Sequence, residues 1–323
     1  MIGVLGGGAW GTALAAVVAG NGASVRLWAR EGDVVADINK HHRNTAFLPG
    51  ATLPPGIRAT ADLGVLDACA TWLVVTPAQH LGRVLAGAPR GPRTLVLCAK
   101  GIEAGTHRLM AEVAADAMPD AALAVLSGPT FAAEVAAGLP TAITLACADA
   151  ALGAALVAQL ATRSFRPYLT DDVTGAEIGG AVKNVLAIAC GVVVGARLGE
   201  NARAALLSRG YAEMLRFAVA RGARSETLSG LSGLGDLVLT CGSPKSRNMS
   251  LGIAIGEGRP AAALLTDRAT VAEGAATAPV LVEAARAAGV EMPIAAAVAA
   301  LLAGAAVGPT IQQLLDRPLK SER

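Results

Sequence analysis

The stretch VLGGGAWGTALA, residues 4–15, constrains the fold more than any other part of the chain. Gly6, Gly8 and Gly11 stand in G-x-G-x-x-G spacing, directly after an apolar run that begins at residue 2 and at the start of an Ala-rich helical pattern. In such a turn the first glycine permits the sharp bend, the second lets a pyrophosphate approach the backbone, and the third brings helix and strand close, while the helix N-terminus attracts the phosphates. With 38 glycines among 323 residues the spacing alone would be an ordinary turn. Its place between strand and helix predicts dinucleotide binding.

The segments IGVLG, SVRLWAR, TWLVVTP, RTLVLCAKG and LAVLSGP each read as a strand entering a turn, separated by helical patterns such as Arg108 to Met118. That alternation is the rhythm of a parallel α/β sheet. After Asp171 the strands stop, and Ala204 to Ala220 places Leu207, Tyr211, Met214, Leu215 and Ala218 on one helix face, with Ser208, Arg209, Glu213 and Arg216 elsewhere. The expected fold is an α/β Rossmann-type N-terminal domain, residues 1–170, followed by a mainly α-helical C-terminal domain, residues 171–323.

Charge narrows the partners. Lys and Arg total 27 against 25 acidic residues, without a polybasic tract, which argues against nucleic acid or an anionic membrane surface. The five cysteines are scattered with no C-x-x-C pair, as expected of small core residues in a reducing compartment. His41, His42, His80 and His107 show no ligand spacing, so no metal is expected. The start MIGVLGGGAW lacks a basic n-region, and a cytoplasmic location is expected. Val185 to Ala196 is too short for a membrane span and reads as a buried helix, while Met292 to Leu315 is Ala-rich and interrupted by Pro293 and Pro309.

About twenty residues past a glycine turn, Rossmann folds that prefer NAD commonly place a carboxylate on the ribose. Here the second strand ends LWAR, putting Arg30 in that neighbourhood. A guanidinium suits a 2′-phosphate, so NADPH is favoured and NADH is the lesser alternative. The plain reading is a solvated Arg at a strand end, and Glu31, next in sequence, tempers the preference.

Lys183 in GGAVKN is the only charge between Glu177 and Arg197. An ammonium in apolar surroundings drifts towards neutrality unless it has a partner or a use. Sparse polar groups also mark VTPAQH (75–80), CAKG (98–101), LSGPTFAAE (126–134), LSGLGDLVLTC (231–241), SPKSRN (243–248) and TVAEG (270–274). In order and spacing these islands resemble, over nearly the whole chain, the bacterial-type NAD(P)-dependent glycerol-3-phosphate dehydrogenases.

The resemblance implies hydride transfer that reduces dihydroxyacetone phosphate to sn-glycerol 3-phosphate for glycerophospholipid biosynthesis, with Lys183 as the acid/base residue and a homodimer as the assembly. It implies substrate contacts from Lys100, Gly128, Thr130, Lys183, Asp236, Ser246, Arg247 and Asn248. For the cofactor it implies Ala9, Trp10, Arg30, Lys100, Ala132, Arg247, Val271 and Glu273 beside the glycine turn, with Phe47 a further candidate. The family often has Ser where Ala9 stands, Asp-Gly where Val194-Gly195 stands, and Gly where Arg197 stands; the last two departures bear on packing beneath the site. Read alone, SRN is a polar loop and Asp236 a helix cap. Two other readings are a related reductase of another hydroxy acid, imine or acyl substrate, against which KSRN argues, and a non-catalytic nucleotide sensor, against which Lys183 and Asp236 argue.

Overall fold

The computed structural model describes residues 1–266 and 272–318. One eight-stranded sheet has the order β3-β2-β1-β4-β5-β6-β7-β8, built from β1 (Ile2–Leu5), β2 (Val25–Trp28), β3 (Ile57–Thr60), β4 (Thr71–Val74), β5 (Thr94–Leu97), β6 (Ala122–Ser127), β7 (Thr141–Ala146) and β8 (Phe165–Thr170). All neighbours pair parallel except β6 and β7, which run antiparallel with Leu126 opposite Leu145. The sheet is therefore mixed at one end, where the sequence predicts a parallel one. Helices α1 (Ala9–Gly20) and α2 (Gly32–His41) follow β1 and β2; α3 (Leu81–Ala86), α4 (Met110–Ala117), α5 (Ala132–Ala136) and α6 (Ala150–Leu160) follow β4 to β7. The strand order reverses between β1 and β4, and in open α/β sheets ligands bind in the crevice at such a point.

Beyond β8 the described residues form helices: α7 (Val173–Gly195), α8 (Glu200–Ala220), α9 (Ser225–Ser229), α10 (Asp236–Cys241), α11 (Arg247–Gly256), α12 (Ala261–Leu265), α13 (Glu273–Ala287), α14 (Pro293–Leu302) and α15 (Val307–Leu315). α7 is the axis of this part. It is long and apolar enough to cross a bilayer, yet 89% of its most apolar window is buried inside the protein. The buried stretch expected from Val185 is its second half. The Met292 to Leu315 run divides into α14 and α15, with Pro293 in the first turn of α14.

Two glycine pairs set the closest helix contact. A Cβ on Gly191 or Gly195 of α7 would run into the carbonyls of Met249 or Ile253, and one on Gly252 or Gly256 of α11 into those of Ile188 or Val192. Backbone packs on backbone there, and α11 is held against the axis.

Two carboxylates are buried where the sequence predicts none. Glu213, expected on the polar side of α8, is 2% exposed and accepts from the backbone N–H of Ile294 at 2.9 Å, so that it caps α14. Glu177 of α7 accepts from the N–H of Ala111 at 2.8 Å and caps α4. Burial pushes Glu213 up to about 7 and Glu177 up to about 8. The five cysteines are free and buried.

Val194 and Arg197 do not lie beneath the site. Val194 is exposed and eleven residues from Lys183, about 16 Å along the helix axis. Arg197 takes φ +57° just past the end of α7, where its N–H donates to Val194 O (3.0 Å) and that of Leu198 to Val193 O (3.1 Å). This is a left-handed helix stop, the position that favours glycine.

Candidate active site

The turn after β1 is built for close approach. Gly6 has φ +134°, and its N–H donates to Trp28 O at 3.1 Å. A Cβ on Gly11 would overlap the carbonyl of Gly6, whereas one on Gly8 would meet nothing within 4 Å. Gly8, immediately before α1, thus faces open space beside a helix N-terminus, with Ala9 and Trp10 half-buried in the first turn. These features fit a pyrophosphate.

Asn44, which the sequence reading passed over, braces this turn. Its amide donates to Gly7 O (2.8 Å) and to Thr12 Oγ1 (2.7 Å), while its Oδ1 accepts from the N–H of Phe47 (3.2 Å). Phe47 is 43% exposed on that loop. Arg30, two residues past β2, is exposed and paired with Glu31 at 2.9 Å.

A second cluster gathers on α7 and α10. Lys183 Nζ donates to Asp236 Oδ1 and, at 3.0 Å, to Thr240 Oγ1; the Thr240 hydroxyl is 3.2 Å from the same carboxylate oxygen. Lys100, just past β5, donates to the other oxygen, Asp236 Oδ2, at 2.7 Å, and to Gly128 O at 3.4 Å. Thr130 Oγ1 donates to that same carbonyl at 3.3 Å. Asp236 is fully buried and Lys183 6% exposed. The carboxylate joins two ammonium groups brought from opposite halves of the chain, so it orients the lysines and is not a helix cap. Thr240 was missed, although its place four residues after Asp236 on a helix puts both on one face.

Local backbone explains the convergence. Gly235 N–H donates to Gly230 O, five residues back, in a single π turn that delivers Asp236. A Cβ on Gly179 would strike Ser232 O in that turn, and one on Gly180 would come within 2.7 Å of Ser127 Oγ at the end of β6. The paired glycines let α7 approach both.

Burial lowers the pKa of Lys183 to about 8; the like charge of Lys100 adds to this, and Asp236 pulls the other way. An ammonium with such a pKa gives up and recovers a proton near neutral pH.

The SRN segment opens α11. Ser246 is buried and its Oγ accepts from the N–H of Met249 (3.3 Å), a helix cap that still leaves the hydroxyl proton to donate. Asn248 donates to Asn184 Oδ1 (3.0 Å) and accepts from the N–H of Gly274 (2.9 Å), tying α11 to the residue after Lys183 and to the start of α13. Asn184 is a second residue the sequence reading left out. Arg247 is exposed, and its charge acts on Glu273, whose pKa burial raises while Arg247, Lys100 and Lys183 lower it. Ala132 is the first residue of α5. Val271 lies outside the described residues.

A glycine turn at the switch point of a largely parallel sheet, with an ammonium–carboxylate cluster shared between the end of β5 and the helices beyond β8, is the architecture of a two-part dehydrogenase. The chain belongs to the NAD-dependent glycerol-3-phosphate dehydrogenase family: the family's N-terminal model matches residues 1–153 and its C-terminal model residues 172–310. It is 63% identical over 321 residues to a glycerol-3-phosphate dehydrogenase [NAD(P)+] of Erythrobacter litoralis, covering 99% of this chain and 97% of that one. A protein of the same name from Novosphingobium aromaticivorans is 63% identical over 323 residues, covering 99% and 98%. A glycerol-3-phosphate dehydrogenase structure from Coxiella burnetii superposes with a TM-score of 0.93 at 38% identity, covering 98% of each chain. A ketopantoate reductase from Ralstonia eutropha shares only the fold, with a TM-score of 0.61 at 15% identity over 97% of this chain and 99% of that one.

Proposed function

We propose that the protein is an sn-glycerol-3-phosphate dehydrogenase (NAD(P)+) that reduces dihydroxyacetone phosphate, with Lys183 as the acid/base residue. The observation that carries this reading is the buried Lys183–Asp236–Lys100 cluster, in which one carboxylate holds two ammonium groups. The supply of glycerol 3-phosphate for glycerophospholipids, a cytoplasmic location, a homodimer and a division at residues 1–170 and 171–323 belong to the same proposal.

The glycine turn with Gly6, Gly8 and Gly11, the first residues of α1, and Arg30 would hold the cofactor, NADPH preferentially and NADH as well. When bound, the reduced nicotinamide supplies the hydride. Lys183 gives its proton to the carbonyl oxygen of the substrate and takes it back in the reverse direction, a role suited to its pKa of about 8. Asp236 and Thr240 fix the ammonium, and Lys100 holds the other oxygen of the same carboxylate. Arg247, exposed next to the helix-capping Ser246, meets the phosphate dianion.

The test is NADPH absorbance with purified protein. Loss of absorbance with dihydroxyacetone phosphate, abolished in Lys183→Ala with NADPH binding retained, is the expected result. Turnover only of unphosphorylated carbonyl compounds, or near-normal turnover in Lys183→Ala, refutes the reading.

A further inference from the structure

The segment SPKSRN carries one charge, Lys245, that the site described above does not use. Its Nζ donates to Glu134 Oε1 at 3.1 Å, across 111 residues of chain. Lys245 stands directly before Ser246 and Arg247, and Glu134 two residues after Ala132 and four after Thr130. The pair therefore joins the loop that opens α11 to the turn between β6 and α5, two segments that reach the site from opposite halves of the chain. Among the described residues no other hydrogen bond links residues 242–248 to residues 128–136.

Each end of this tie is stiff. Lys245 N–H donates to Ser243 Oγ (3.2 Å), Ser246 N–H to Ser243 O (3.0 Å) and Ser250 Oγ to Pro244 O (2.6 Å), so residues 243–246 move with the first turn of α11. Glu134 lies in the first turn of α5, where its N–H donates to Phe131 O (3.0 Å) and its carbonyl accepts from the N–H of Leu139 (3.1 Å). Deeper in, Lys100 makes a similar connection, from Gly128 O to Asp236 Oδ2. One ammonium thus bridges the halves at the floor of the site, with 14% of its side chain exposed, and the other at the rim, with 69% exposed.

We propose that Lys245 and Glu134 are positioning residues that hold the Ser246–Asn248 loop against the turn between β6 and α5, a role that rests on the reading of Arg247 as the phosphate contact. An exposed pair of this kind contributes little to stability. Its effect is on geometry: without it the exposed Arg247 guanidinium is drawn to the substrate from a looser loop, which weakens binding and leaves proton transfer at Lys183 untouched. A Lys245 that met the phosphate by its own charge would give the opposite sign at Glu134. Removing a negative charge beside the loop would then strengthen binding of a dianion, whereas removing a tie weakens it.

The test is steady-state kinetics with NADPH and dihydroxyacetone phosphate in Glu134→Gln, Lys245→Gln, the double variant and Lys245→Arg, with melting temperature as the folding control. The expected result is a KM for dihydroxyacetone phosphate raised about two- to fivefold in each Gln variant at unchanged kcat, with no further rise in the double variant. Lys245→Arg, which keeps the charge that pairs with Glu134, should have a near-normal KM. A KM unchanged or lowered in Glu134→Gln overturns the inference, as do effects that multiply in the double variant or a Lys245→Arg as impaired as Lys245→Gln. Wild-type protein that does not turn over dihydroxyacetone phosphate overturns the function proposed above and this inference with it.

Discussion

Replacing Asp236 with Asn tests how the site tunes its lysine. In the native protein burial drives the pKa of Lys183 down to about 8, and the Asp236 carboxylate is the main force resisting that fall. Asn keeps the shape and an oxygen that can accept, but removes the charge shared by Lys183 and Lys100. A charge-assisted hydrogen bond contributes about 1.5–3 kcal/mol, and one pKa unit corresponds to about 1.4 kcal/mol, so the pKa of Lys183 should drop by roughly one to two units. At pH 7.5 the protonated fraction then falls from about three quarters to roughly one quarter or less. With Lys183 as the proposed proton donor, reduction requires the protonated amine, so the alkaline fall in kcat/KM for dihydroxyacetone phosphate should move from near pH 8 to between about 6 and 7. The assay is the pH dependence of NADPH oxidation, with NADPH affinity measured by fluorescence as the control. A profile that still breaks near pH 8 in Asp236→Asn would show that this carboxylate does not govern the proton on Lys183.

Gly191→Ala should lower the melting temperature by several degrees, because the added methyl meets the Met249 carbonyl and lies 2.8 Å from the N–H nitrogen of Ile253, both rigid backbone; overpacking of this kind costs about 1–3 kcal/mol. An unchanged melting temperature would mean that the helices part freely. Glu177→Gln addresses linkage: its pKa is about 8 in the folded chain against 4.5 when exposed, so its contribution to stability is full below pH 4.5 and is lost as pH rises through about 8. Thermal denaturation from pH 5 to 9 should show wild type losing more stability than Glu177→Gln with rising pH, and parallel curves would exclude the effect.

The glycine turn was legible because each of its residues answers a local demand. A bend, an open approach and a close crossing each exclude a side chain, and Gly6, Gly8 and Gly11 meet them in order. Lys183 was legible for the opposite reason, as a charge in a helix whose faces are otherwise apolar. β3, β7 and β8 were not picked out. β3 is an edge strand whose IRAT sequence carries the exposed Arg58, β8 is an edge strand carrying Pro167, and the antiparallel pairing of β7 depends on how the chain returns after α5. Glu213 was misplaced because its use is tertiary: it caps a helix that begins eighty residues later, which no period along α8 records.

Thr240, Asn184 and Asn44 share that character, since each serves another site residue. Thr240 and Asn184 flank the lysine through Asp236 and Asn248, and Asn44 holds the glycine turn through the Gly7 carbonyl. Residue type announces a group that does chemistry, but a group that positions it is visible only once the backbone is folded. In α7 the two kinds meet. Gly179 and Gly180 admit the π turn and the end of β6, while Gly191 and Gly195 admit α11, so all sides of the helix are occupied. Lys183 is left 6% exposed, and the glycines a turn before it admit the π turn, Ser127 and the stem of Lys100 beside it. The low pKa of the amine then follows from burial that these small residues permit, with Asp236 opposing the fall and Lys100 adding to it.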